Sequence, residues 1–252
     1  MPKKDDDDAP LGHGLSADQL AFFDREGYLI VPNVLRPEEV DELKEESNWI
    51  LETVLNSSLY HRRHSGRLDW SFQTTTGQQM VRKIQPINDL SLPFTRTIKD
   101  PRIKDALHSV MGEKAVLFEE KLNYKQPLPE AVDIKPCPVI DDYFPVHNDW
   151  AYYRMNNFPQ SVLSSALLID DCTAENGPLT VYPGSHKRQG ELHHLEHELM
   201  ERGLQVLPEE MEKAGIKDPR SDNGRPGIEP VDIIGESCLL RISTSLFHAL
   251  MH

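Results

Sequence analysis

Residues 145–150 read PVHNDW, which sets an imidazole and a carboxylate two positions apart, just after a proline and among strand-forming residues. On an extended strand residues i and i+2 share a face, so this spacing lets His147 and Asp149 reach one cation together. The chain also offers a third ligand. Past an aliphatic run ending in two acids, LLIDD, and the phrase ENGPLTVYPGSHK, an apolar strand near the end finishes in a histidine, SLFH, at His248. One carboxylate and two imidazoles, the second far along the chain, form the facial donor set that holds non-haem Fe(II) and leaves adjacent positions open. HNDW taken alone is a weak signal, because a strand histidine is ordinarily a plain hydrogen-bonding residue.

Other groups carry less. Lys121, Asn123 and Lys125 alternate, so on a strand they share a face and could donate to the oxygens of a bound acid, or equally form a solvated edge. Trp150, Tyr152 and Tyr153 follow the HxD pair as entrance walls or as simple packing. His193, His194 and His197 fall on a polar helix-like stretch without the carboxylate order of a known site. HRRHSGR at 61–67 is a basic run in an acidic chain, suited to an anionic substrate group or to a surface loop.

Elements must position these residues. LSADQLAFFDREGYLIV predicts a helix capped by Ser16, with Gln19 at the capping-box position and Gly27 as its stop, followed by a short strand at Tyr28–Val31. RPEEVDELKEESNWILETVL predicts an amphipathic helix along Val40, Leu43, Ile50, Leu51 and Val54, and DPRIKDALHSVMG a third helix ended by Gly112. From Ala115 the runs turn strand-like: AVLFEEKLNYKQ, YFPVHNDWAYY, SVLSSALLID, GPLTVYPGS, VDII and SCLLRISTSLFH. Helices first and strands after predict a mainly β fold, a barrel or sandwich with flanking N-terminal helices. Residues 1–14, with a four-Asp run, are expected to form a disordered acidic tail, and 15–252 a single domain. The polar excursion 190–227 is expected to be a lid or surface insertion.

The HxD pair, ENGPLTVYPGSHK, the late strand histidine and the opening REGYLIVPNVLRPEEVDEL together resemble the phytanoyl-CoA dioxygenase family of Fe(II)- and 2-oxoglutarate-dependent oxygenases, over nearly the whole chain from Leu15. The resemblance implies a double-stranded β-helix, or cupin-like jelly roll, with the metal near one mouth. It implies Fe(II) bound by His147, Asp149 and His248, the last preferred because it lies about a strand's length beyond the turn in GESCLLRISTSLFH, with His252 as the alternative. It places His186 of PGSHK, with Asn176 and Gly177, at a shaping turn and not among the ligands. It implies 2-oxoglutarate and O2 as co-substrates, with ascorbate supportive, and oxidation of a small organic substrate coupled to release of succinate and CO2. Asp149 fills the position that related halogenases leave vacant, so hydroxylation, desaturation or ring formation is the expected outcome. Lys121 and Asn123 are the candidates for holding the co-substrate. The family's anchoring arginine falls about ten residues past the last histidine, beyond His252, so the chain is expected to be cut short or its anchoring lost or moved, and Arg241 is a poor positional substitute. The rival readings are a catalytically impaired metal-binding member and a cupin-like metal enzyme that uses no 2-oxo acid; HNDW with one distal histidine fits the cupin pattern less well.

Composition bounds the partners. A formal net charge of −14, from 41 acidic against 27 basic residues, opposes nucleic acid and anionic membrane surfaces. Cys137, Cys172 and Cys238 suit neither a disulfide framework nor a thiolate zinc site, and no apolar run reaches the roughly 20 residues of a membrane span. A soluble cytoplasmic protein is the expectation, and its oligomeric state is left open.

Overall fold

The computed structural model describes residues 14–61, 65–72, 79–124, 144–147, 149, 153, 162–173, 176, 178–187, 231–234, 238–243 and 248–250. These fall into two compact units, one of Asn33–Tyr143 and one of Leu15–Pro32 with Phe144–Met251. Among the described residues no helix is long and apolar enough to cross a membrane.

The second unit begins with α1 (Ala17–Glu26), where Ser16 Oγ accepts from Gln19 N, and Gln19 Oε1 accepts from Ser16 N in return. Gly27 closes the helix in the left-handed region at φ 83°, as the stop signal required. Strand β1 (Tyr28–Pro32) follows and runs antiparallel to β9 (Cys238–Ser243), which is itself flanked by β6 (Leu163–Leu167). A second sheet has the order β5 (Phe144–His147), β10 (His248–Leu250), β7 (Leu179–Val181), β8 (Val231–Ile233), all antiparallel. The two sheets meet through Tyr28, Leu179, Val181 and Ile233, with Phe22, Ile30, Ala166 and Leu168 packed against them. Alternation explains the set: Leu179 and Val181 lie two apart on β7, as Tyr28 and Ile30 do on β1.

The first unit holds α2 (Pro37–His61), α3 (Leu92–Ile98), α4 (Pro101–Met111) and a small antiparallel sheet of β2 (Leu68–Phe72), β3 (Gln79–Ile84) and β4 (Leu122–Asn123). The apolar positions expected on the long helix are buried at Val40, Leu43, Ile50 and Val54, and Gly112 caps α4 at φ 70°. The β2–β3 hairpin and α3 were not anticipated, although Ser91, whose hydroxyl accepts from Phe94 N, followed by Pro93, is a helix-start signal.

Two strand expectations need correction. Among its described residues AVLFEEKLNYKQ forms a strand at Leu122–Asn123 alone, and its acids bind loop backbone and side chain. Glu120 accepts from Ile87 N and Asn88 N at 3.1 and 3.0 Å, and Glu119 from Gln85 Nε2 at 3.2 Å. SCLLRISTSLFH contains two strands, not one. It contributes β9 to one sheet and then β10 to the other, so His248 opens a strand and does not end one. Residues 1–13 of the expected 1–14 tail, the 190–227 excursion, His193, His194, His197, Lys125, Trp150, Tyr152 and His252 lie outside the described residues.

Candidate metal centre

The two histidines selected on the sequence occupy directly opposed positions. β10 pairs β5 with His248 against His147, and pairs β7 with His248 against Val181. Opposed residues of an antiparallel pair share a face, so positions 147, 248 and 181 form one row across the sheet. Val181 is fully buried in the core between the sheets, which makes this the inner row. For His147 and His248 the backbone alone is described. Their closeness, with a hundred residues of chain between them, follows from the topology: the chain crosses to the second sheet at β10, and β10 inserts between β5 and β7.

Asp149 does not stand where strand alternation predicted. β5 ends at His147, and Asp149 occupies the turn beyond it, with its carbonyl accepting from Tyr153 N at 3.3 Å. Its carboxylate is half-buried, and Oδ2 accepts from Ser164 Oγ of β6 at 2.8 Å. Ser164 shares the parity of Ala166 and Leu168, which pack on the core, whereas Ser165 between them is exposed. The inner face of one sheet therefore supplies a hydroxyl to the carboxylate that follows the edge strand of the other. Sequence reasoning missed Ser164, and the only signal was a polar residue at a core-facing position of SVLSSALLID.

Of the remaining candidates, Lys121 and Asn123 lie in the first unit and are exposed. Lys121 precedes the two-residue β4 and its ammonium meets Glu119 at 3.3 Å, Asn123 lies in β4, and Lys125 is outside the described residues. Arg241 stands opposite Leu29 and Ser165 in the first sheet of the second unit. Arg67 of the basic run is committed to structure: it donates to both oxygens of Asp89 at 2.7 and 2.6 Å and to Pro86 O at 2.7 Å.

The PGSHK segment turns against the end of α1, whereas Asn176, expected to fix that turn, belongs to a separate one, and Gly177 lies outside the described residues. Asn176 closes residues 171–176, donating to Asp171 O at 2.6 Å and accepting from Thr173 N at 2.9 Å. Gly184 N donates to Glu26 O at 2.8 Å, and His186 Nε2 lies 3.0 Å from Asp24 O, so the turn clamps the α1–β1 junction. Burial pushes His186 below the usual imidazole range and Lys187 adds to the shift, while the Asp24 carbonyl and the Asp24 and Glu26 carboxylates oppose it. Its Nδ1 is buried and has no hydrogen-bond partner among the described residues.

With this arrangement in view, comparison with known proteins is decisive for the family. The model of the phytanoyl-CoA dioxygenase (PhyH) family matches residues 23–231. The chain belongs to this family. The ectoine dioxygenase of Bordetella bronchiseptica is 27% identical over 176 residues, 69% of this chain and 50% of the relative. The chain thus spans about half the length of the curated relatives it matches. Among solved structures, EctD from S. alaskensis with 2-oxoglutarate and 5-hydroxyectoine superposes with a TM-score of 0.65 at 23% identity, covering 98% of this chain and 72% of that one. The same enzyme with bound Fe gives 0.62 at 21% identity, covering 97% and 72%. These likenesses establish a shared fold.

Proposed function

We propose that the chain is the iron-binding part of a 2-oxoglutarate-dependent dioxygenase acting on a small organic substrate, with Fe(II) held by His147, Asp149 and His248. The observation that carries this reading is the inner row in which positions 147 and 248 oppose each other, with a hydrogen-bonded carboxylate two residues beyond the first. The donor set fits the ion, since two imidazoles and one carboxylate suit a borderline divalent cation and leave coordination positions for other molecules. The names of the relatives and the iron and 2-oxoglutarate in the neighbours' structures support the same choice. The shared fold supports a double-stranded β-helix, and the family match, which runs through both compact units, supports one oxygenase domain from 15 to 252.

Iron bound there would supply, with O2 and a chelating 2-oxo acid, the oxidising power that couples decarboxylation of 2-oxoglutarate to succinate and CO2 with substrate oxidation. The protein's own part is positional. The β5–β10–β7 ladder fixes the spacing of the two histidine positions, Ser164 holds the Asp149 carboxylate, and the buried Val181 within the row and Leu179 beside it keep bulk water from that face. Lys121 and Asn123 are assigned to the co-substrate on the alternation of their sequence.

Co(II) titration of the 252-residue chain and its Ala variants tests the metal assignment. His147→Ala, Asp149→Ala and His248→Ala each abolish tight binding, and His252→Ala leaves it unchanged. Wild-type affinity in His147→Ala removes the proposal, and binding lost in His252→Ala but kept in His248→Ala moves the third ligand. With Fe(II), ascorbate and air, succinate formation then reports the co-substrate. Lys121→Ala and Asn123→Ala raise its apparent KM without altering Co(II) affinity, and an unchanged KM in both removes those two residues.

A further inference from the structure

We propose that residues 113–121 are a self-complementary edge through which two copies of this chain associate, an inference independent of the iron reading. The stretch reads EKAVLFEEK, and Val116, Leu117 and Phe118 at its centre are 80%, 48% and 54% exposed. Residues 114–121 carry neither helix nor turn, and successive side chains of an extended chain face opposite sides, so three exposed neighbours leave both sides uncovered. Looseness does not account for this exposure. Gly112 N donates to His108 O at the end of α4, and past the apolar residues Glu120 accepts from Ile87 N and Asn88 N. The stretch is thus anchored at both ends and leads into β4, which has β3 on one side and no described strand on the other. An open, apolar edge held in place is a template for a further strand.

The charges identify that strand. Mirrored about Leu117, the stretch carries opposite signs: Lys114 mirrors Glu120, and Glu113 mirrors Lys121. Two copies paired antiparallel about Leu117 therefore set lysine against glutamate at each end, Val116 against Phe118 on one face and Leu117 against Leu117 on the other. A one-residue slip in one direction opposes Glu113 to Glu120, and in the other Lys114 to Lys121. Parallel pairing in register opposes every charge to its like. Charge thus selects one register and one direction. Glu113 and Lys114 are exposed and have no ion-pair partner among the described residues, so a second copy supplies the counter-charges this chain does not. One strand pair is a small interface, so the association is weak and concentration-dependent.

Sedimentation velocity of the 252-residue chain, in a concentration series up to about 1 mM, tests the association. Wild type should show a reversible monomer–dimer equilibrium. Leu117→Asp, which sets two carboxylates face to face at the two-fold axis, should raise the dimer Kd roughly tenfold or more with an unchanged circular dichroism spectrum. Cross-linking checks the register. Opposed Cα atoms of an antiparallel pair lie about 4.5–5.5 Å apart, within disulfide reach, so Leu117→Cys should cross-link under mild oxidation above the wild-type background. The two copies of position 113 lie eight residues apart along the pair, about 27 Å, so Glu113→Cys should not. A wild type that stays monomeric throughout the series overturns the proposal, whatever else covers the patch. So does an unchanged Kd in Leu117→Asp, or cross-linking at position 113 equal to that at 117.

Discussion

Gly27 shows how a single backbone position can carry two constraints. Its φ of 83° lies in the left-handed region, and a Cβ there would run into the His186 ring. Gly112 has nearly the same conformation, φ 70°, with open space around it. The pair therefore separates strain from contact. Gly112→Ala should cost about 1–2 kcal/mol from conformation alone, and Gly27→Ala should cost more, with the excess removed in Gly27→Ala/His186→Ala. Equal costs measured by urea unfolding would show that the His186 contact is immaterial. His186 also gives this junction a pH response. Burial lowers its folded pKa below the ordinary value of about 6.5, so just below that pH the unfolded chain binds more protons than the folded one. Stability is complete above about 6.5 and falls as pH drops through the folded value. Thermal midpoints measured from pH 7.5 to 5.5 should decline, and His186→Gln should flatten that decline. At this scale the cap residues Ser16, Gln19 and Gly27 were legible because capping is local chemistry. Ser164 and the His186 clamp were not, since each depends on a partner brought near by the fold.

Between elements, the N-termini of α2 and α4 are tied by Arg102, which donates to both oxygens of Glu39 at 2.9 Å and to Asp100 at 2.7 and 2.9 Å. The Arg102 hydrogen bonds hold Glu39 at about 2, well below the usual carboxylate range. Glu39 therefore contributes stability above its ordinary value of about 4.5, and that contribution is lost as pH falls toward 2. After allowance for partial exposure, Glu39→Gln should cost about 1–2 kcal/mol at pH 7 and flatten the acid limb between about 4.5 and 2. A urea titration series across that range checks it, and an acid limb parallel to wild type would show the pair to be inert. The element pattern was largely readable from periodicity. α1, α2 and α4 and the cores of β1, β5, β6, β7 and β8 stand where the apolar spacing put them. The errors arose where neighbours in space decided the outcome: the acids of 119–120 drawn to the loop after β3, Asp149 past the end of its strand, and a continuous apolar run divided between two sheets.

Across the whole chain, the proposed ligands fall at both ends of one long stretch, with position 147 on an edge strand and position 248 on the strand beside it. A metal that binds only the folded arrangement raises stability by mass action, by about 2.7 kcal/mol at a hundredfold excess over Kd. Co(II) should accordingly raise the thermal midpoint of the wild type, and of Lys121→Ala equally, but not that of Asp149→Ala. A midpoint insensitive to Co(II) would contradict the centre. The same topology has a consequence for synthesis. β9 is the middle strand of one sheet and β10 an inner strand of the other, and β1 finds its partner roughly 210 residues later, Tyr28 against Ile242. Loop closure on that scale slows folding. On the ribosome, β1, β5, β6 and the directly paired β7 and β8 would emerge before the strands that join them into sheets, so the growing chain must keep several open edges from pairing wrongly until residues 238–250 are released. Delayed assembly, rather than weak final packing, is thus where this unit is most exposed to misfolding.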